Sequence, residues 1–134
     1  MIADKEELAA MILVSGVYDF QDMYNKWHTS DWQLAPDMLS YIEKSVVVDG
    51  DLKTAANYRS ALSNANHFKT PILLIVGKKD RIVDNAQSVL LARVLQSHAH
   101  ACELVVDPEG GHMISAEDWV KSATTFLRKS LKKQ

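Results

Sequence analysis

The run "PILLIVG", Pro71 to Gly77, constrains this chain more than any other stretch. It is apolar without alternation. A strand with one wet face alternates apolar and polar residues. A strand that is apolar throughout is covered on both faces, as in parallel sheets with helices above and below. Two further runs join it. "AAMILVS", Ala9 to Ser15, is also apolar without alternation, and "CELVVD", Cys102 to Asp107, is less pure. Glu103 near its start puts that third strand closer to an edge.

Parallel strands need long crossovers, usually helical. "NAQSVLLARVLQSHAHA" places Leu91, Val94, Leu95 and His98 on one face, with Val89 and Leu90 widening the stripe. Asp84 or Asn85 is placed to cap it. The last segment starts at Ser115 with Asp118 three residues on, a variant of the capping box. Val120, Ala123, Phe126, Leu127 and Leu131 form its apolar face. Arg128, Lys129, Lys132 and Lys133 sit where the helix dipole favours cations. The middle, residues 19–69, is rich in Trp, Tyr, Asp and Asn. It reads as a helical excursion or lid, with one helix after Pro36, a turn at Asp49 to Asp51, and a second helix over "LKTAANYRSALSNA". The fold class is therefore α/β: a single domain, residues 1–134, with a short, mostly parallel three-stranded sheet and flanking helices.

Composition closes off several functions. A chain of 134 residues with net charge −2 gives no reason to expect nucleic acid or an anionic membrane surface as partner. No apolar run approaches the roughly 20 residues of a membrane-spanning helix, and the N-terminus makes a poor signal peptide. The one cysteine, Cys102, rules out an intrachain disulfide and fits a cytoplasmic setting. His98 and His100 form H-x-H, but residues two apart on a helix face different ways, so no metal site is expected there. No cofactor is expected either.

In a parallel α/β sheet, functional groups collect at the carboxyl ends of the strands. Asp80 follows "PILLIVGKK" and His112 follows "CELVVDPEGG". If these strands are neighbours, about 4.8 Å apart, short loops bring the two side chains within hydrogen-bond reach. An aspartate accepting from one imidazole nitrogen fixes the tautomer and stabilises the imidazolium. The other nitrogen is then free to take a proton from a nucleophile. Gly110 and Gly111 let the backbone turn sharply, with positive φ if needed, so that the histidine points back over the sheet. The plainer readings are a histidine that closes a turn and an aspartate in a surface turn. Cys102 reads as a small core residue and Asp19 as a helix cap. Trp27, Trp32, Tyr18, Tyr24 and Tyr41 read as core, lid or pocket.

Three segments resemble the C-terminal part of an α/β-hydrolase, most closely the prolyl-oligopeptidase-like serine hydrolases. They are "LAAMILVSGVYDF", "YRSALSNANHFKTPILLIVGKKDRIVDNAQSVLLARVLQ" and "ELVVDPEGGHMISAEDWVKSATTFLRKSL". The resemblance implies that Asp80 is the triad acid and His112 the triad base. Asp84 stands where the family usually has a proline, which makes it a runner-up acid. The resemblance also implies a serine on a G-x-S-x-G elbow. No serine here has a glycine two residues to either side, and Ser15, in "LVSGV", lacks the elbow. Three functions follow as expectations. One is the acid–histidine part of a peptidase or esterase, inactive alone, whose substrate when completed is a small ester or peptide. The second is a non-catalytic remnant or interaction module. The third is a subunit completed in trans. In each, the first strand lacks its usual neighbour, so a homo-oligomer or association through that exposed strand is expected.

Overall fold

The computed structural model describes residues 8–29 and 35–132, apart from the side chain of Asp118. Trp32, Lys133 and the capping role of Asp118 lie outside the described residues. Two compact units emerge: Met1–Gly16 with Ala65–Gln134, and Val17–Asn64.

The first unit carries the sheet. Strands β1 (Met11–Val14), β2 (Ile72–Gly77) and β3 (Cys102–Asp107) lie in the order β1-β2-β3. Both pairings are parallel: Val14 is opposite Ile75, and Gly77 is opposite Asp107. The fold is a three-stranded parallel α/β sheet with flanking helices. Ile72, Leu73, Leu74, Ile75 and Val76 are each at most 1% exposed, as the unbroken apolar run of the central strand requires.

The strand β1 departs from its reading as a strand buried on both faces. It is only half-buried, and Val14 is 42% exposed. The physical reason is its position at the edge. Met11 and Ser15 donate their backbone N–H to Pro71 and Ile75 on the β2 side. By the alternation of a parallel ladder, Ile12 and Val14 then turn their backbone polar groups outward. Among the described residues no strand meets them.

Helix α4 (Ala86–Ser97) packs on β2 and β3. Its buried stripe is Ser88, Leu91, Ala92 and Leu95. His98 was expected on that face; instead it is the exposed C-cap residue, and Leu90 is exposed as well. Asp84 Oδ1 accepts from the Ala86 amide, while Asn85 is the formal cap residue and makes no capping bond. Helix α5 (Ala116–Leu131) covers the other face of the sheet. Ala123 and Phe126 pack on Leu73 and Ile75, with Ile12, Val105, Ile114 and Trp119 around them. Val120, Leu127 and Leu131, read as part of this apolar face, are exposed. The true stripe is shifted to take in Trp119. Lys129 reaches across to Glu103 on β3 (3.2 Å).

The second unit is helical: α1 (Phe20–His28), α2 (Ala35–Asp49) and α3 (Leu52–Arg59) pack on one another. Asp19 caps α1 by accepting from the Asp22 amide, as its position implied. Asp51 caps α3 in the same way, and that bond from the Thr54 amide holds its carboxyl below the usual carboxylate range. Gly50, at φ +98°, makes the turn between α2 and α3. Tyr18, Met23, Trp27 and Ile42 are core, whereas Tyr41 is exposed. The helix read through residue 65 stops at Arg59. No helix among the described residues is long and apolar enough to cross a membrane.

Candidate active site

The carboxyl ends of β2 and β3 bring Asp80 and His112 together. Asp80 Oδ2 accepts from His112 Nδ1 at 2.9 Å across 32 residues of sequence. The carboxylate side chain is fully buried, and the imidazole is about one-third exposed. Burying a carboxylate is costly unless every lone pair finds a donor. Oδ1 meets that need inside its own loop, accepting from the backbone N–H of Ile82 (2.8 Å) and Val83 (3.0 Å). The two oxygens therefore have separate tasks: one holds the acid loop and the other holds the imidazole. An ionised carboxylate only accepts, so when the imidazole is neutral the shared hydrogen sits on Nδ1 and Nε2 keeps its lone pair.

The loop that carries His112 is tied down by backbone. Asp107 Oδ1 accepts from the Glu109 amide (3.0 Å) and curls the chain as it leaves β3. The Asp107 carbonyl accepts from the Lys78 amide and the Gly110 carbonyl from the Lys79 amide, both at 2.8 Å. Lys79 Nζ pairs with Glu109 across the same seam. Of the two glycines only Gly110 is required by close approach, and neither uses the positive φ that a sharp turn could have needed. Neither Gly110 nor Gly111 has positive φ. A Cβ on Gly110 would lie 2.8 Å from Cγ of Asp107, whereas one on Gly111 would meet nothing within 4 Å. Gly77, at the end of β2, went unnoticed in the sequence: a Cβ there would collide with the Gly110 and Gly111 carbonyls.

The remaining candidates fall elsewhere. The Asp84 carboxylate caps α4 at the Ala86 amide. His100 Nε2 contacts the Thr70 carbonyl at 2.7 Å, and no metal-holding cluster occurs among the described residues. Cys102 is a half-buried free thiol, pushed up to about 11 by burial and by the neighbouring Glu103 charge. Ser15 ends β1 in a left-handed conformation (φ 47°), and its Oγ is buried without a hydrogen-bond partner. A cleft of about 690 Å³, lined by Val105, Ile114 and Trp119 among others, touches neither Asp80 nor His112.

The sequence profile of the prolyl oligopeptidase family matches residues 3–134. The chain belongs to that family. No curated protein matches it. Among solved structures, the uncomplexed acylaminoacyl peptidase of Pyrococcus horikoshii is similar at TM-score 0.73 and 21% identity over 97% of this chain. An orthorhombic form of that enzyme is similar at TM-score 0.61 and 22% identity over 82%. At such identity the likeness is one of fold. The chain spans about a fifth of the length of these structures, covering 21% of the first and 17% of the second. In this prolyl oligopeptidase-family chain, the Asp80–His112 pair thus sits at the carboxyl ends of two adjacent parallel strands, where an α/β sheet collects its functional loops.

Proposed function

We propose that this chain supplies the acid and the base of a serine hydrolase triad, Asp80 and His112, and that the serine comes from residues outside it. One observation carries the reading: a buried carboxylate holds Nδ1 of an imidazole that is about one-third exposed. Nε2 is left able to take the proton of a serine hydroxyl. The serine oxygen attacks the carbonyl of an ester or peptide, and Asp80 stabilises the imidazolium so formed. His112 then passes the proton to the leaving alcohol or amine, giving an acyl-enzyme. Water repeats the cycle to release the acid. The sequence has no G-x-S-x-G, so the chain alone is inactive.

The second reading is association. The outward edge of β1 and the exposure of Val14 favour an added parallel strand, either from a serine-bearing polypeptide or from a second copy of this chain. We place the protein in the cytoplasm on the strength of its single cysteine, a reading that cell fractionation tests. The main test is a fluorophosphonate probe, which labels activated serines. No labelling is expected for the chain alone. Labelling is expected once a G-x-S-x-G polypeptide of the family is joined or added, and His112→Ala abolishes it. Labelling of a serine in the isolated chain that depends on His112 would overturn the inactive reading. Light scattering tests association, and a strict monomer at high concentration counts against an adhesive β1 edge.

A further inference from the structure

Asp80 cannot by itself set where His112 stands, because the histidine loop leaves a different strand. What holds the loop is a seam with the acid loop. Lys78 and Lys79 donate their amides to the carbonyls of Asp107 and Gly110. Against that seam lies Gly77, whose missing side chain leaves room for the carbonyls of Gly110 and Gly111. A Cβ on Gly77 would lie 2.5 Å from the carbonyl carbon of Gly110, and real Cβ contacts stay beyond 3.0 Å. Both neighbours are backbone, so they cannot yield by turning a side chain. To take the nearest atom, the Gly111 carbonyl oxygen at 2.2 Å, out to 3.0 Å the histidine loop would have to lift by about 0.8 Å, and the Lys79–Gly110 bond lies in the way of that movement.

We propose that Gly77 is a positioning residue for His112: the bare end of β2 seats the histidine loop, and that seat sets the imidazole against Asp80. This rests on the acid–base reading of the pair given above. Gly111, next to His112 in sequence, has no comparable task, since a Cβ there meets open space. The residue that matters for the imidazole is therefore on the neighbouring strand, and the glycine adjoining the histidine is dispensable.

The test is a long-range ¹H–¹⁵N correlation spectrum of the labelled chain, which reads which ring nitrogen carries hydrogen. In free histidine the Nε2–H form dominates. In the wild-type protein neutral His112 is expected in the Nδ1–H form, and Asp80→Asn abolishes it. A wild-type His112 in the Nε2–H form refutes the acid–base reading itself. Given a wild-type Nδ1–H signal, Gly77→Ala is expected to lose it and Gly111→Ala to keep it. Retention in Gly77→Ala overturns the positioning role while leaving the acid–base reading intact. Should Gly77→Ala fail to fold, amide exchange in the wild type decides. Lys78 and Lys79 amides protected like that of Val76 are the expected result. Exchange at the rate of an open loop means there is no seam and refutes the proposal.

Discussion

Replacing Asp80 by alanine and by asparagine separates the two tasks of its carboxylate. Oδ1 accepts from the amides of Ile82 and Val83 at 2.8 and 3.0 Å, and Oδ2 accepts from His112 at 2.9 Å. Asp80→Ala takes the carboxylate acceptor away from all three donors. The imidazole is about one-third exposed and finds water. The two amides belong to a part-buried turn, and at about 1–3 kcal/mol for each orphaned donor the variant loses about 2–6 kcal/mol. With a urea slope of about 1–3 kcal/mol per molar, the unfolding midpoint falls by about 0.7 M or more. Asp80→Asn keeps an oxygen for the two amides, so its midpoint falls much less. Its NH2 group now faces His112 and donates to Nδ1, which sends the ring hydrogen to Nε2, the atom that a hydrolytic cycle needs free. Urea titration and imidazole nitrogen shifts read the two effects independently. Equal destabilisation by alanine and asparagine, or an asparagine variant that keeps the Nδ1–H form, would refute the division of labour between the two oxygens.

Three other outcomes are expected. Leu74→Ala empties a site that is 0% exposed in the central strand and costs about 2–5 kcal/mol in urea unfolding. Gly50→Ala meets no neighbour, but it forces a side chain onto a residue at φ +98°, so backbone strain alone is expected to cost about 1–2 kcal/mol of unfolding free energy, read as a lower melting temperature. The Cys102 thiol, pushed up from 9.0 to about 11 by burial, carries at pH 8 about one hundredth of the thiolate of an open cysteine; iodoacetamide should modify the folded chain about 100-fold more slowly than the urea-unfolded chain.

The parts of the fold that sequence reveals are those set by local pattern. Five consecutive apolar residues announce β2, and they are all buried. Asp19 followed by a helix announces a cap, and it caps. Misreadings arise where burial depends on partners distant in the chain. The run "AAMILVS" has the unbroken apolar pattern of a strand covered on both faces, yet β1, at the open edge its missing neighbour implied, is only half-buried and Val14 is open. The α5 stripe is misplaced because Val120, Leu127 and Leu131 fit a helical period as well as Trp119 does, and only the sheet beneath chooses between them. The site divides in the same way. Asp80 and His112 stand out by their distance from the strand ends. The backbone donors of Ile82 and Val83, and the contact of Gly77 with the histidine loop, join atoms that no periodicity links. Gly110 and Gly111 drew attention for the turn they permit, and what the fold uses is the space left at Gly77 and Gly110.

His112 follows β3 in sequence, but its loop is tied to the end of β2 and the residues just after it, and this bears on where a serine would stand under the proposed completion. Neighbouring strands are about 4.8 Å apart. Under the proposed completion, a serine-bearing strand beside β1 lies about 10 Å from β2 and about 14 Å from β3. A histidine standing over its own strand would have to span the longer gap. The bonds from the Lys78 and Lys79 amides, together with the bare end of β2, tie the loop to the strand nearer the open edge. The remaining gap is within reach of an imidazole and a serine projecting from facing loops. The open edge of β1 and the missing side chain of Gly77 therefore answer the same geometric demand. Under the proposed completion, a substitution that lifts the loop off β2 costs the pair its hydrogen bond and also moves His112 away from the side on which the serine would arrive.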